Sequence, residues 1–308
     1  RVKKTAMILW SVYLILTFAE IILLRIGGMN LFESAIHTFG TVATGGFSSM
    51  NASIGAYPSM FIQYVIIAFM FLAGINFILY CRFLLGERKA IIRNKEAKVY
   101  ATIILVMTII LTLNLWWQKI YPNLEEAFRT AFFHITSIVT TTGYVTADFD
   151  AWPNMAKMLI FVAMFIGGCA GSTGSSIKVI RVYVLVKSAF IELFRSIHPS
   201  AVKNIYIEKE AIPQDTIRKI IGFFVVYLMI FFSGSLIMSF FNLDFISAIT
   251  ATAATLGNVG PGLGMVGATE PYTFLPSLAK LILCFFMLLG RLEIFTLFII
   301  FTPAFWKS

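Results

Sequence analysis

Five strongly apolar runs, each long enough to cross a lipid bilayer as a helix, constrain this chain more than any other feature. They are Ala6–Leu24, Ser59–Tyr80, Val99–Trp117, Ile217–Phe241 and Leu278–Phe301. A bilayer-spanning helix needs about 20 mostly apolar residues. The composition agrees, because only 13% of the 308 residues are charged, whereas a soluble domain carries about a quarter. The sequence therefore predicts an all-α polytopic membrane protein.

The positive charges are clustered rather than spread along the chain. Of 24 Lys and Arg residues, 18 fall in Arg1–Lys4, Arg82–Lys98, Lys178–Lys219 and at Lys307. These segments alternate with nearly uncharged ones, the pattern that places the basic loops of a membrane protein in the cytoplasm. The net charge of +9 is thus explained by membrane topology, and nucleic-acid binding is not expected because no basic soluble module is present.

The chain contains three copies of one design: a spanning helix, a shorter helix, a Thr/Gly-rich stretch and a second spanning helix. We place these copies at residues 1–97, 98–212 and 213–308. The Thr/Gly stretches are Val42–Phe47 (VATGGF), Val139–Tyr144 (VTTTGY) and Ala253–Asn258 (AATLGN). An alignment on Gly46, Gly143 and Gly257 also matches Thr44, Thr141 and Thr255. Such internal repetition predicts one structural unit used three times.

The segments before these stretches, Leu31–Thr41, Leu124–Val139 and Leu243–Thr252, are too short to cross a bilayer and are predicted to be re-entrant helices. Irregular backbone at membrane depth is tolerated only where it lines a cavity or is covered by protein. The spanning helices that flank them are predicted at these positions: Ala6–Leu24 and Ser59–Leu85, Val99–Trp117 and Pro153–Lys187, Ile217–Phe241 and Pro276–Phe301.

The Thr/Gly stretches have the chemistry of a cation filter. A dehydrated cation needs oxygen ligands, which backbone carbonyls supply where glycine permits unusual dihedral angles. Three such stretches, each after a short helix, favour a filter over ordinary turns, with its entrance outside. The candidate cation-binding residues are Ala43, Thr44, Gly45, Gly46, Thr140, Thr141, Thr142, Gly143, Thr255, Leu256, Gly257 and Asn258.

Histidine occurs nine residues before the aligned glycine in two copies, as His37 and His134, and the third copy has Ala248. Neither histidine has Cys, Asp or Glu at a ligand spacing. We therefore expect hydrogen bonding behind the filter rather than metal binding.

A glycine-rich stretch, Gly167–Ser176 (GGCAGSTGSS), interrupts the second spanning helix of the middle copy. Four glycines among small polar residues predict an unwound segment that lines the pathway. Arg291 is the other unusual feature, since a charge inside a span requires a cavity or a partner. It either faces the pathway or pairs with Glu293. The candidate gating residues are Gly167, Gly168, Gly171, Ser172, Thr173, Gly174, Ser175 and Arg291.

Together these residues resemble the Trk/Ktr/HKT superfamily of potassium transporters, most closely its bacterial TrkH/TrkG branch. The matching stretches are TVATGGFS, TTTGY, CAGSTGSSIKV, TLGNVGPG and GRLEIFT. The resemblance implies potassium uptake or symport, a homodimer, and a TrkA-like cytosolic subunit that carries the regulatory nucleotide. It also implies that Gly167–Ser176 is a gating loop below the filter and that Arg291 lies near the path. By the same resemblance, potassium is the expected substrate and the cell inner membrane the expected location, and no covalently bound cofactor is expected.

Members of this family have four repeats around one filter, and this chain shows the counterparts of the second, third and fourth. We therefore expect that the chain is part of a longer protein, or that an equivalent of the first repeat comes from another chain. Sodium-permeable or sodium-coupled transport is the nearest alternative. A membrane-embedded redox protein, or an anchor for cytosolic partners, is the alternative from another class.

Overall fold

The computed structural model describes residues 2–199, 203–208, 210–300 and 303–306, and most of them are helical. The helices are α1 Val2–Ile26, α2 Leu31–Val42, α3 Met60–Ala73, α4 Phe77–Leu84, α5 Ala90–Arg93, α6 Lys95–Trp117, α7 Leu124–Val139, α8 Asn154–Ala163, α9 Val179–Ile197, α10 Gln214–Ser239, α11 Phe245–Leu256, α12 Ser277–Arg291, α13 Ile294–Ile300 and α14 Pro303–Trp306. Two short antiparallel strands, β1 Tyr206–Ile207 and β2 Glu210–Ala211, separate α9 from α10. The predicted all-α membrane architecture is confirmed. Arg1, Phe301 and Lys307, which were assigned to basic ends or to the last span, lie outside the described residues.

Helices α1, α6 and α10 are long and apolar enough to cross a membrane. Two further pairs pass the same test but are sharply bent, α3 with α4 by 92° and α12 with α13 by 110°. The predicted interruption of the middle copy is confirmed, because residues 164–178 separate α8 from α9. The unbroken spans predicted over Ser59–Leu85 and Pro276–Phe301 are wrong.

Both bends have a local cause in polar groups that leave the helical pattern. At the first, the side chain of Asn76 accepts a hydrogen bond from the Ile78 amide at 2.9 Å and so starts α4 anew. The carbonyl of Gly74, at the end of α3, accepts instead from the amide of Cys169 at 2.9 Å. At the second bend, Glu293 has a φ of +60°, a left-handed conformation that ends a right-handed helix.

Three short helices, α2, α7 and α11, follow the three long ones and each packs against its predecessor. They contain 12, 16 and 12 residues, so at about 1.5 Å per residue none reaches across a bilayer. Side-chain caps start two of them, since Asn30 accepts from the Glu33 amide and Asp244 from the amides of Ile246 and Ser247. Short helices thus occur where the sequence predicted them, with α2 one residue longer and α11 shifted to Phe245–Leu256, and their re-entrant position in the membrane stays a prediction.

Candidate functional site

Each short helix ends in a turn of the same shape, and we call these the turn segments: Ala43–Gly46, Thr140–Gly143 and Gly257–Gly260. The first residue of each caps its helix in the right-handed region. The second residues, Thr44, Thr141 and Asn258, have φ values of +52°, +58° and +55°. The fourth residues are the glycines Gly46, Gly143 and Gly260, with φ values of +66°, +84° and +102°.

The hydrogen bonds of the three segments repeat as closely as their dihedral angles. In each, the amides of the third and fourth residues both donate to one carbonyl in the last turns of the helix. These carbonyls belong to Gly40, Ser137 and Ala254, and the glycine amides lie 3.2, 3.3 and 3.4 Å from them. The same backbone design has therefore been built three times.

This geometry corrects the sequence alignment of the third copy by three residues. The counterpart of Gly46 and Gly143 is Gly260, and Gly257 occupies the capping position instead. Thr255 and Leu256, predicted as filter residues, are the last two residues of α11. The alignment on T-x-G was wrong because the position that needs a positive φ carries asparagine here, a residue that tolerates this conformation better than threonine does.

The turn segments lie side by side with almost no space between their backbones. A Cβ atom added at Gly46 would lie 1.9 Å from the carbonyl oxygen of Thr142, and one at Gly143 would lie 2.0 Å from that of Val259. At Gly260, no atom of the described residues lies within 4 Å of the corresponding position. The segments therefore pack in chain order, each glycine against the next segment, and the third ends at an open face.

Two histidines, on the short helices α2 and α7, form local hydrogen bonds through their rings. Nδ1 of His37 donates to the Glu33 carbonyl at 2.7 Å, which leaves Nε2 of the neutral ring to accept from the Ser48 hydroxyl at 2.9 Å. His134 is also fully buried, and its Nδ1 donates to the Thr130 carbonyl at 2.8 Å. The prediction that both rings form local hydrogen bonds is confirmed.

Tyr144 joins two copies directly, which sequence analysis did not anticipate. Its buried hydroxyl lies 3.0 Å from each of the carbonyl oxygens of His37 and Phe47 in the first copy. Gly40 makes room for it, since a Cβ atom there would lie 2.1 Å from the tyrosine oxygen. The aromatic residue after the second turn segment thus fixes the position of the first.

The loop between α8 and α9, residues 164–178, folds back on itself against the turn segments. Ile166 and Ile177 form a parallel bridge, and the Gly167 amide donates to the Ile177 carbonyl at 2.6 Å. Only glycine fits at position 167, where a Cβ atom would lie 2.0 Å from the Ser175 carbonyl oxygen. All the predicted gating residues other than Arg291 are in this loop.

Two hydrogen bonds connect the 164–178 loop to the turn segments. The hydroxyl of Thr44 donates to the carbonyl of Thr173 at 3.0 Å. The amide of Ser175 donates to the hydroxyl oxygen of Thr141 at 2.8 Å. The threonines of the first and second segments therefore both contact this loop. The corresponding Asn258 bonds instead to the Met287 carbonyl of α12 at 3.0 Å.

The cationic side chains of Arg291 and Lys178 also bind the 164–178 loop. Arg291 donates from Nη1 to the carbonyl of Thr173 at 2.6 Å and to the hydroxyl of Ser175 at 3.0 Å. Lys178 donates to the Gly174 carbonyl at 2.6 Å. Together with other residues of the loop, α10 and α12, these side chains line a cavity of about 340 Å³.

Glu293 does not pair with Arg291, which excludes one of the two interpretations of that arginine in this conformation. The carboxylate of Glu293 lies 2.8 Å from Nη2 of Arg181 on α9, and both side chains line the same cavity. Arg291 is bound to the loop alone among the described residues. Its predicted position beside the pathway is compatible with this geometry and stays a prediction.

Sequence analysis missed Glu96, which tethers the 164–178 loop from the start of α6. Its buried side chain accepts a hydrogen bond from the Ala170 amide at 2.7 Å. The sequence does mark Glu96 as unusual, because it is an acidic residue in a basic segment at the edge of an apolar run. Its partner, however, is a backbone amide 74 residues away, and no pattern in the sequence points to it.

The whole chain, residues 1–308, matches the family model named TrkH and described as a cation transport protein. The Trk system potassium uptake proteins TrkH of Escherichia coli and of Halomonas elongata are 38% and 40% identical to it, and each alignment covers all of this chain and 64% of the relative. The crystal structure of the potassium transporter TrkH from Vibrio parahaemolyticus superposes with a TM-score of 0.94 at 38% identity, covering 99% of this chain and 66% of that one. This chain thus spans slightly less than two thirds of the length of these relatives, and it belongs to the TrkH family of cation transport proteins.

Proposed function

We propose that this chain forms most of a potassium uptake pathway in the cell membrane, with the turn segments as its filter and the 164–178 loop as its gate. The observation that carries the proposal is the threefold repetition of one turn, with similar dihedral angles and the same hydrogen bonds each time. Backbone that departs from helix in a membrane protein lines a pathway or is buried in protein. Three equivalent turns packed against one another fit a shared ion site better than three unrelated loops.

The turn segments offer what potassium requires, namely several carbonyl and hydroxyl oxygens within a small space. Left-handed backbone at the second and fourth positions turns successive carbonyls away from the helical direction. The filter residues we propose are the three segments in the register found in the structure: Ala43–Gly46, Thr140–Gly143 and Gly257–Gly260. Replacement of a cation's water shell by such oxygens is the basis of selectivity in potassium channels.

The open face at Gly260 supports a fourth segment in the complete filter. Each of the first two glycines packs against the next backbone, and Gly260 is the only one of the three for which the described residues provide no neighbour. If a fourth segment packs there, Gly260→Ala in the full-length protein should damage transport as severely as Gly143→Ala. If the face stays open, the change costs only the strain of alanine at positive φ, about 1–2 kcal/mol.

The fold is also consistent with the remaining expectations for the family. We propose that the basic segments face the cytoplasm of the inner membrane and that the protein works as a homodimer. We further propose that a TrkA-like cytosolic subunit, which carries the regulatory nucleotide, acts on the gate. Each of these is tested separately, the first by labelling of introduced cysteines from either side and the others by mass measurement of the purified complex.

Sodium permeation is the alternative within the same family, and it concerns the same filter. The names of the similar proteins favour potassium, since those relatives are described as potassium uptake proteins or potassium transporters. A redox or anchoring role is not favoured, because His37 and His134 are already engaged in local hydrogen bonds behind the turn segments.

The test is cation flux into vesicles that contain the purified full-length protein. Uptake of a potassium tracer should be reduced by excess unlabelled potassium and much less by equal sodium. Vesicles without protein provide the control for leakage. Equal competition by both ions would exclude potassium selectivity, and flux equal to that of the control would exclude a conducting pathway.

A further inference from the structure

The 164–178 loop and the turn segments share the hydroxyl groups of Thr44 and Thr141. We infer that these two threonines couple the filter to the gate. The innermost filter position is the one next to the hydroxyls of Thr44 and Thr141, and the closed loop is the 164–178 loop in the conformation of this structure. A cation in that position and the closed loop exclude one another. The inference rests on the proposed function, because it assumes that the cation is coordinated by these segments. It goes beyond that function by assigning a dual role to Thr44 and Thr141.

Thr141 carries the more consequential of the two contacts. Its hydroxyl oxygen accepts the Ser175 amide at 2.8 Å, and both residues are buried, Thr141 to 1% exposure. A threonine oxygen has only two acceptor positions. An amide hydrogen at one of them presents positive charge to any cation at the other, so the closed loop weakens this oxygen as a ligand.

Thr44 contacts the loop as a donor: its hydroxyl lies 2.7 Å from the Ala43 carbonyl oxygen and 3.0 Å from that of Thr173. The Thr173 carbonyl also accepts a hydrogen bond from Arg291 at 2.6 Å. The next carbonyl along the chain, that of Gly174, accepts a hydrogen bond from Lys178. The closed loop thus holds two fixed positive charges on adjacent carbonyls, directly beside the residues that contact the turn segments. A potassium ion in the innermost position repels both.

The Ser175 amide and the two positive charges act in the same direction. Each makes the innermost cation less favourable while the loop is closed, and linkage requires the converse: the cation makes the closed loop less favourable by the same factor. Potassium that arrives at the inner end of the filter therefore promotes opening of the loop. Removal of the Thr141 acceptor should also promote opening, because the Ser175 amide would be left buried without a partner.

The loop contains its own reporter in Cys169, a fully buried thiol. In full-length protein whose other cysteines are replaced, the rate at which a thiol reagent modifies Cys169 measures loop opening without any transport. The rate is compared in potassium chloride and in N-methylglucamine chloride of equal ionic strength, since the larger cation cannot enter a filter built for a dehydrated ion.

We expect potassium to raise the modification rate several-fold in the parent. In N-methylglucamine, Thr141→Val should raise the rate about tenfold, as expected for one buried amide left unpaired, and should reduce the further effect of potassium. Thr141→Ser retains the hydroxyl and should restore the parent rate. Thr44→Val should have a smaller effect, because Arg291 still binds the same carbonyl. The matched control is Thr112→Val, a buried threonine whose hydroxyl bonds only within α6.

A modification rate for Thr141→Val within twofold of the parent would overturn the inference. So would a Thr141→Ser protein that behaves like the valine variant, or a parent rate that is equal in the two salts. The outcome is separable from that of the proposed function. Expected Cys169 rates in a protein that conducts no potassium in vesicles would support the coupling and contradict the proposed uptake function.

Discussion

The turn segments and the 164–178 loop are both irregular, largely buried backbone, yet they are held in different ways. Each turn segment bonds to a carbonyl of its own short helix, only a few residues back, and the first two segments pack Gly46 and Gly143 against neighbouring backbone. The loop is held mainly by partners from distant parts of the chain, such as Thr44, Glu96 and Arg291, which lie 74 to 129 residues from the groups they bind. A filter built from local backbone stays rigid, whereas a loop held by remote side chains can be released without unfolding its neighbours.

The difference between the turn segments and the 164–178 loop is tested most strongly at Gly143, where close contact between two backbones fixes the turn. Gly143→Ala introduces a Cβ atom at 2.0 Å from the Val259 carbonyl oxygen and at a φ of +84°. We expect potassium flux to fall by about two orders of magnitude or more, since small misplacements at a site of this kind have effects of that size. Tracer uptake in vesicles measures the loss, and size-exclusion chromatography shows whether the protein still folds.

Gly86→Ala is the matched control for this prediction. Gly86 has a φ of +105°, and no atom of the described residues lies within 4 Å of an added Cβ, so alanine there brings the dihedral strain without the collision. Flux within about twofold of the parent is expected for it. If Gly86→Ala and Gly143→Ala lose flux equally, the loss in Gly143→Ala comes from dihedral strain and not from the close packing of the turn segments.

Removal of Gly171–Gly174 should have the next largest effect and in the opposite direction. It deletes the carbonyls of Thr173 and Gly174, which accept from Thr44, Arg291 and Lys178. We expect basal flux to rise about tenfold and regulation by the cytosolic partner to weaken, because the closed arrangement loses these three hydrogen bonds, two of them from charged groups, along with the bonds of Gly171 and Thr173 to the α3–α4 bend.

The control for the deletion is Ser235→Ala on α10, whose hydroxyl bonds, among the described residues, only to the Phe231 carbonyl of the same helix. It should leave basal flux and the response to the partner unchanged. A folded deletion protein that conducts no more than the parent, and still responds to its partner, would show that this loop is not the gate.

Arg291→Gln should have a smaller effect on transport and little effect on folding. The guanidinium group binds Thr173 and Ser175 of the loop, and glutamine can replace a hydrogen bond but not the charge. We expect basal flux to rise about threefold to fivefold. This corresponds to a closed loop that is destabilised by about 0.7–1 kcal/mol relative to the open loop. Flux and thermal unfolding are measured on the same preparations.

Arg82→Gln serves as the comparison for Arg291, since Arg82 forms an exposed pair with Glu87 at 2.7 Å. Exposed pairs contribute little to stability, so neither flux nor unfolding temperature should change. If Arg291→Gln lowers the unfolding temperature by many degrees while the surviving protein conducts as the parent does, the arginine is structural.

The smallest effect is expected behind the turn segments, at Ser48→Ala. This change removes the hydroxyl that lies 2.9 Å from Nε2 of His37, and the loss of one such hydrogen bond costs about 1 kcal/mol. Thermal unfolding should shift downward by a few degrees, with flux within twofold of the parent. Ser11→Ala, in which only an exposed bond within α1 is lost, should shift neither quantity.

A histidine with a catalytic or metal-binding role would behave differently in that experiment. If Ser48→Ala abolished flux while leaving the unfolding temperature unchanged, His37 would belong to the pathway and not to its support. The local hydrogen bonds of His37 and His134 favour the supporting role.

The amino-acid sequence alone was enough to predict the membrane class, a design used three times, the short helices that precede the turn segments and the interruption at Gly167–Ser176. These features depend on the length of apolar runs and on local glycine content, and both are visible in a short window of sequence. The sequence also located the first two turn segments, because Thr44–Gly46 and Thr141–Gly143 repeat the same residue types at the same spacing.

Only the tertiary structure decided the register of the third segment, the bends of α3–α4 and α12–α13, and the connections of the loop. Asn258 takes a dihedral angle that threonine takes in the other copies, so the backbone repeats where the residue type does not. Glu96, Thr141 and Arg291 reach the loop from three separate helices or turns, and their pairing depends on which helices pack together. Residue spacing cannot encode such contacts, because the packing of distant helices brings these groups within hydrogen-bonding distance.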